Sequence, residues 1–537
     1  MKKFKKALSV FLVLSLLFAL PFQVGAIDVE GVKKSASKAF YNSVQVVLNS
    51  LVSGLAALNK TPEGWKSLEE TDNTGFMAGT EEFLSKPAED ARFSLGYDSR
   101  SLLENAGNVV GEMYIGGSIA LKKKFATEVV DDLKVRTAAV SDGSGRGISV
   151  FVVLDAYGLS LPDTREIRAR LSSLTEEKNI NSITVCTLHQ HSAVDTLGMN
   201  GNIWEMALLN PLRSLFSRKT ENGKNERYME NLFETCVKSV ESAVSSLTPG
   251  RLFYGKADQT EYLRDKRAPF VEDEFFNRFR FVPDDGSRET WLVTSEIHCV
   301  GNGAAGTAVT GDYPYYAEKV INEEADANVM FVLGAEQSTT QNWNENTVTN
   351  FSEEGMTRLE KMAGFGDSLG RHLMKITEET EVAPLLNIKY KQIVLPIDNP
   401  ILLLAGKAGI FEPLVVKTEN GEFGVLTEIG YLELGEDLAF AIIPGELAPE
   451  LAYGGCLGAD ESWTGTDWSY PSYAETVAAK NGRSLKVLGL ANDQVGYIVP
   501  DNNFMAMLAP ESSSIELVSL GARTASTLTR GFEDLVG

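Results

Sequence analysis

The stretch ITVCTLHQH, residues 183–191, contains a short apolar strand followed at once by two histidines. Ile183–Thr187 has the length and the β-branched content of a buried strand. In an extended chain, a spacing of two residues points His189 and His191 to the same face. Histidines with this spacing also occur as solvated or hydrogen-bonded core residues, so the pair alone is a weak signal of a metal site.

Outward from this strand, residues 93–537 alternate between short apolar strands and helices. Leu133–Val140 and Ile148–Leu154 flank a turn rich in Gly, Ser and Asp, which predicts a hairpin. Pro162 marks the start of a helix predicted to run to Leu174. The alternation predicts an α/β fold with a mixed sheet and flanking helices. Further strands are predicted near Arg251–Tyr254, Trp291–Ile297, Val329–Leu333, Ile393–Pro396, Leu438–Ile443 and Leu485–Leu490, and helices at Glu226–Ser246 and Glu354–Glu378.

Histidine is rare in the sequence, which contains only His189, His191, His298 and His372. His298 ends the predicted strand Trp291–Ile297, so three of the four histidines lie at strand ends, where open α/β sheets form ligand sites. Catalytic zinc typically takes three protein ligands, and a mixed histidine and carboxylate set suits it. Glu446 follows another predicted strand and would complete such a set. The alternative for Glu446 is an acid in the first turn of helix Leu447–Tyr453, stabilised by the helix dipole.

The N-terminus of the sequence differs from the rest. Four lysines within residues 2–6 precede the apolar run Ala7–Leu20, and Val24-Gly25-Ala26 offers small residues for cleavage. This pattern predicts a signal peptide over residues 1–26 and therefore a secreted protein. The alternative is an uncleaved segment that tethers the protein to a membrane. No later stretch has the roughly 20 apolar residues needed to cross a bilayer.

Composition and charge exclude several classes of protein. Of the 537 residues, 43% are hydrophobic and 23% charged, which is typical of a folded globular protein. The net charge of −23, or −27 without the leader and its four lysines, argues against nucleic acid and against simple electrostatic docking on anionic lipid. Four cysteines without a CxxC pair exclude a disulfide scaffold and a cysteine zinc site.

Residues 27–92 are predicted to form a separate N-terminal helical segment. Its apolar residues follow helical spacing and form one stripe. We expect this stripe to pack on the main domain, and a membrane-surface or partner helix is the alternative, disfavoured because lysines are sparse. The stripe consists of Phe40, Val44, Val47, Leu48, Leu51, Leu55 and Leu58.

Four separated motifs of residues 93–537 resemble those of the neutral/alkaline non-lysosomal ceramidases. That family carries a Thr-His-Thr-His-Ser segment, which resembles Thr187-Leu188-His189-Gln190-His191-Ser192. A later histidine followed by a Gly-Asp and an aromatic helix resembles His298 with Gly311-Asp312-Tyr313. A Pro-Gly-Glu segment matches Pro444-Gly445-Glu446, and a late Gly-Tyr segment matches Gly496-Tyr497. Residues 93–537 are accordingly predicted to be a ceramidase-like catalytic domain.

The resemblance implies a zinc ion bound by His189, His298, Glu446 and Tyr497. It also implies that His191 holds the substrate carbonyl or its developing oxyanion. The implied reaction is hydrolysis, by zinc-activated water, of an N-acyl amide in a lipid such as ceramide or a related envelope molecule. Such a substrate would allow peripheral contact with a membrane, and nothing in the sequence defines the oligomeric state.

The sequence departs from the family in its hydroxyl segment. The family has Gly-Asp-x-Ser-Pro-Asn after the strand that corresponds to Val329–Leu333, and counting back from Asn342 places Thr340 at the serine position. The hydroxyl survives there, whereas the Asp and Pro do not. Thr340 is therefore the predicted catalytic hydroxyl. The alternatives are a metal-stabilised or metal-free cell-surface binding protein that has lost catalysis, and a metal-dependent esterase or phosphatase.

Overall fold

A computed structural model describes residues 34–117, 124–201, 206, 209–210, 213, 220–303, 306–351 and 355–537. The predicted signal peptide lies outside these residues. No helix within the described ranges is long and apolar enough to cross a membrane.

Strands and helices alternate along the described chain. The strands are β1 Phe93–Ser101, β2 Glu128–Val129, β3 Lys134–Ser141, β4 Ile148–Leu154, β5 Ile180–Thr187, β6 Thr248–Asp258, β7 Leu263–Asp265, β8 Phe275–Pro283, β9 Glu289–Ser295, β10 Ala308–Val309, β11 Ala327–Leu333, β12 Thr339–Gln341, β13 Glu379–Val382, β14 Leu386–Pro396, β15 Val415–Lys417, β16 Phe423–Leu434, β17 Leu438–Ile442, β18 Glu446–Leu447, β19 Ser484–Leu488 and β20 Tyr497–Ile498. The helices are α1 Lys34–Leu58, α2 Leu161–Arg170, α3 Ser172–Lys178, α4 Glu226–Ser245, α5 Asp312–Glu324, α6 Arg358–Met374, α7 Pro400–Lys407, α8 Pro449–Tyr453, α9 Tyr473–Asn481 and α10 Thr524–Val536.

The larger sheet, as far as the described residues show, has nine strands in the order β11-β9-β8-β6-β1-β3-β4-β5, with β13 also paired to β6. It is mixed, because β11/β9 and β4/β5 are parallel and the other pairs are antiparallel. The predicted hairpin is present as β3 and β4. A smaller sheet has the order β14-β16-β17-β19, with β15 added to β16.

The two sheets pack face to face between layers of helices. Phe281 of the larger sheet and Phe440 of the smaller sheet belong to one buried core. Tyr228 of α4 packs with the outer face of the larger sheet, and Phe532 of α10 packs with the outer face of the smaller one. The predicted α/β class, with a mixed sheet and flanking helices, is confirmed.

One segment holds the two edges of the larger sheet together. Strands β11 and β5 lie at opposite ends of the strand order. The Gly489 amide donates to the Leu333 carbonyl at the end of β11 (2.8 Å), and the Asn492 amide donates to the Val185 carbonyl of β5 (2.7 Å). The segment 489–492, which follows β19, therefore brings together the carboxyl ends of strands that are far apart in the order.

Helix α1 packs on the domain, but not through the whole predicted stripe. Its buried face consists of Tyr41, Leu48, Val52, Leu55 and Ala56. These residues contact α7 and the segment 506–509. Of the stripe residues whose side chains are described, Leu48 and Leu55 are buried, because the helix is rotated toward Tyr41 and Val52; the side chain of Leu58 lies outside the described part. The prediction that the stripe packs on the domain is wrong for Phe40, Val47 and Leu51, which are exposed.

Candidate metal centre

His189 lies two residues after β5, in a left-handed backbone conformation (φ 48°). Its ring stacks on Tyr157, with 4.6 Å between ring centroids. Its Nδ1 is 2.7 Å from the Tyr157 carbonyl oxygen. Because a carbonyl can only accept, Nδ1 carries the proton and the Nε2 lone pair is free. That Nε2 faces Glu446 Oε2 at 3.3 Å.

His298 lies three residues after β9 and is held from behind by Glu336. Its Nδ1 is 3.3 Å from Glu336 Oε2 and 3.4 Å from the Glu336 carbonyl oxygen. Its Nε2 faces His191 Nε2 at 3.0 Å and Glu446 Oε2 at 3.9 Å. The ring centroids of His189, His191 and His298 lie 4.7–4.9 Å from one another.

His191 completes the cluster of rings. Its Nε2 lies 3.0 Å from His298 Nε2, and its ring meets the Tyr157 ring edge-on, with 5.2 Å between the centroids. One ring nitrogen from each of the three histidines lies within 4.8 Å of the others.

Glu446 and Tyr497 come to the site from a separate two-stranded sheet, whose strands β18 and β20 follow β17 and β19 of the smaller sheet along the chain. They are directly paired in the short parallel ladder of β18 and β20, and burial, with the charge of Glu446, raises the pKa of Tyr497 well above its usual range. Gln494 Nε2 donates to Glu446 Oε1 (3.1 Å), which leaves Oε2 for the histidines. Helix α8 begins only at Pro449, so Glu446 is a strand residue and not an acid of the first helical turn.

The convergent atoms fit a divalent cation. His189 Nε2 and Glu446 Oε2 are buried and have no hydrogen-bond partner. Two overlapping groups, one of the three histidines and one of His298, Glu336 and Glu446, each place their ligand atoms within 4.8 Å of one another. Lone pairs and a carboxylate oxygen at these separations repel one another unless a cation lies among them. Imidazole nitrogen with carboxylate oxygen is a donor set typical of zinc.

The pKa values of the site favour neutral imidazoles. Burial, with the charge of His189, lowers the pKa of His298 to about 3. Burial, with the charges of His189 and His298, lowers the pKa of His191 well below its usual range. Burial also opposes protonation of His189, but the neighbouring charge of Glu446 raises its pKa. Two of the three rings are therefore unprotonated at neutral pH, as metal ligands must be.

Glu336 is a site residue that the sequence analysis missed. It is buried, and neither carboxyl oxygen has a hydrogen-bond partner. Burial, with the charge of Glu446, raises the pKa of Glu336 well above its usual range. The pairing of the strands is what would have identified Glu336. β9 and β11 are parallel neighbours with Ser295 opposite Leu333, so His298 and Glu336 each follow the end of their strand by three residues.

The hydroxyl segment lies beside the site. Thr340 pairs with His298 through a backbone bridge, and its hydroxyl donates to Gln341 Oε1 (3.1 Å). A cavity of about 560 Å³, counting its open mouth, lies over the histidines. Ser338 lines this cavity, and Thr340 is not among its lining residues. The described lining consists of His191, Lys266, Arg267, His298, Val300, Gln337, Ser338, Tyr497, Ser513 and Ile515.

Together the fold and the site define the class: this chain has a neutral ceramidase-like fold. The sequence itself matches no family model and no curated protein. The solved structure of neutral ceramidase from Pseudomonas aeruginosa superimposes with a TM-score of 0.63 at 15% identity, over 83% of this chain and 74% of that one. A structure described as ceramidase complexed with C2 gives 0.61 at 15% identity, over 83% and 75%. The resemblance inferred from four sequence motifs is therefore confirmed for the fold.

Proposed function

We propose that this protein is a secreted, zinc-dependent hydrolase of an N-acyl amide bond in a lipid such as ceramide or a related envelope molecule. The observation that carries the proposal is the convergence of His189 Nε2 and His298 Nε2 on one buried oxygen of Glu446, with His191 Nε2 beside His298. The ceramidase-like fold supports the reaction class, and the C2 complex of one similar structure supports a lipid substrate. Secretion rests on the sequence pattern of residues 1–26.

The ion would be held by His189 Nε2, His298 Nε2, Glu446 Oε2 and the hydroxyl of Tyr497. When bound, zinc supplies a Lewis acid that activates water and polarises a carbonyl. The protein fixes the geometry from outside the ligand set: Tyr157 orients His189, and Glu336 orients His298. Acceptors of this kind fix the tautomer and orientation of a metal-bound histidine.

His191 and a hydroxyl complete the proposed site. Burial, with the charges of His189 and His298, lowers the pKa of His191 well below its usual range, so its ring is neutral at neutral pH and offers one N–H donor and one lone pair. The predicted role of polarising the carbonyl needs the N–H on the nitrogen that faces the substrate. Ser338 lines the cavity beside His191, so its hydroxyl is the better placed to contact a substrate carbonyl. The role predicted for Thr340 stays a prediction, and a pair of variants separates the two residues.

A binding protein without turnover is the second candidate. The observation that favours it is the loss of the family's Asp and Pro from the hydroxyl segment. In that case the ion would stabilise the fold, and the cavity would hold a ligand unchanged. The same ligand set also suits a metal-dependent esterase or phosphatase.

The test combines metal analysis with a substrate panel. The purified protein is analysed for metal, stripped with a chelator and reloaded with zinc. It is then assayed on N-acylsphingosines of several chain lengths, on an N-acyl amino acid, and on ester and phosphate controls. We expect about one zinc per chain and amide cleavage that returns on reloading. Metal uptake without cleavage of any amide would favour the binding protein, and a folded protein that takes up no divalent metal would exclude the zinc hydrolase and the metal-stabilised binding protein. N-terminal sequencing of protein from the culture medium tests secretion and cleavage near Ala26.

A further inference from the structure

Helix α1 has an apolar flank that the rest of the described protein leaves uncovered. Phe40, Val47 and Leu51 are 56%, 61% and 53% exposed. Their spacing of seven and four residues places them on one line along the helix, over a length of about 16 Å. Val46 is exposed on the other side of the same helix. Of the large apolar side chains exposed in the described residues, the helix thus carries the only group at helical spacing.

The flank is neutral, although the protein is strongly acidic. The whole chain contains 73 acidic residues, whereas none lies in Lys34–Leu58. Lys38 is already engaged, because its Nζ donates to the Ser462 carbonyl (3.2 Å) and lies over the Trp463 ring. The flank therefore offers few charged groups to an anionic surface or to any other electrostatic partner.

We propose that the flank of Phe40, Val47 and Leu51 lies on the surface of a lipid bilayer and binds it by apolar contact. A helix with one side on the protein and one apolar side free suits the boundary between head groups and acyl chains. The alternative of an uncleaved leader would support this occupant, because thirteen residues separate the apolar run Ala7–Leu20 from Lys34. Thirteen residues span at most about 45 Å, so a leader retained in a membrane would keep α1 near its surface.

The flank and the cavity are connected through one segment of chain. Gln45 of α1 accepts a hydrogen bond from the Met507 amide (2.9 Å). Arg267, which lines the cavity, donates to the Asn503 carbonyl (2.9 Å). Both elements therefore pack on residues 503–507, and a further exposed apolar side chain, Phe270, follows Arg267 by three residues. Because they share this segment, a bilayer under α1 would hold the cavity near the layer that contains a lipid substrate. A role in access of the lipid substrate rests on the proposed function, whereas the contact between α1 and the bilayer does not.

A fluorescent label on the flank tests the contact without any turnover. Val47→Cys, in a full chain that also carries Cys456→Ser, is labelled with an environment-sensitive dye. Zwitterionic phosphatidylcholine vesicles are then added. We expect a blue shift and quenching by nitroxide lipids, both unchanged by salt. The matched control is Val129→Cys, an exposed valine of β2, whose label should not respond even when a retained leader holds the chain on the vesicle.

Three results would overturn the proposal. The first is a label at position 47 that does not respond to vesicles, and the second is an equal response at position 129. The third is a response at position 47 that grows with protein concentration in the absence of lipid, which would make the flank a contact between two copies. For the protein with its leader removed, the combined change of Phe40, Val47 and Leu51 to serine should lower vesicle partitioning at least tenfold. Failure of amide cleavage would leave all these readouts unaffected and so would count only against the proposed function.

Discussion

Replacing Glu336 by glutamine probes how the metal centre is held. Burial, with the charge of Glu446, raises the pKa of Glu336 and so favours its neutral carboxyl in the metal-free protein, and glutamine replaces that neutral acid by an amide of nearly the same shape. The fold without metal should therefore keep its stability. Once a cation binds, a carboxylate behind His298 Nδ1 gains a charge-assisted hydrogen bond that glutamine cannot supply. The change should thus appear in the metal-bound state alone.

The magnitude follows from the position of Glu336 behind one ligand. Loss of such an outer partner typically weakens metal binding by about 10- to 100-fold, or ~1.4–2.7 kcal/mol. At a free zinc concentration 1,000 times the wild-type Kd, the metal stabilises the wild type by ~4.1 kcal/mol. The Glu336→Gln variant should retain only ~1.4–2.7 kcal/mol of this stabilisation. Urea unfolding with and without zinc, together with competition against a chromophoric chelator, measures both quantities.

A matched control is available in Glu296, another buried acid two residues before His298. Its carboxyl faces away from the histidines and accepts hydrogen bonds from Tyr453 and from the Asp273 amide (2.9 Å). Glu296→Gln should destabilise the metal-free fold and change zinc affinity by less than about threefold, because it removes no contact to a ligand. Wild-type zinc affinity in Glu336→Gln, or an equal loss in Glu296→Gln, would refute the role given to Glu336.

Five further variants test the remaining roles. His189→Ala should lose stoichiometric metal by elemental analysis while its circular dichroism stays native; retained metal would remove it from the ligand set. Glu446→Gln should weaken metal retention and abolish turnover, because the amide carries no charge to hold a cation; normal metal and activity would contradict this. His191→Ala should keep the metal and lose about 10²- to 10³-fold in rate, as on loss of one group acting on the reaction centre; lost metal would make it a ligand. Ser338→Ala should lower the turnover of a soluble amide more than Thr340→Val does, and the reverse order would restore the role predicted for Thr340.

The sequence allowed prediction of those parts of the site that follow from local pattern. Strand ends can be recognised from apolar runs, so His189, His298 and Glu446 were expected to meet, and the structure brings them together. Glu336 was not predicted, because its position beside His298 depends on β9 and β11 being parallel neighbours. That pairing is a property of the sheet, and no local spacing within either strand reveals it.

The orientation of helix α1 and of the hydroxyl segment was harder to predict than their presence. A helix near residues 40–58 was evident from apolar periodicity, but α1 is apolar on more than one side. The stripe through Phe40 and the face through Tyr41 therefore compete for the domain, and the surface that α7 and residues 506–509 offer decides between them. In the hydroxyl segment, counting from Asn342 placed Thr340 at the serine position, whereas the fold puts Ser338 in the cavity. The count could not allow for how the chain turns between β11 and β12.

The candidate ligands are spread widely along the chain, from His189 through His298 and Glu446 to Tyr497, and they enter from two sheets. Tyr497 follows His189 by 308 residues. During synthesis, a growing chain of this protein therefore presents the complete set only after β20 has been made. A shortened product that ends before β20 would keep all nine described strands of the larger sheet and still lack a ligand. Metal loading would thus distinguish chains that contain β20 from shorter ones, and any ion the site takes must arrive at a chain that has already brought these distant segments together.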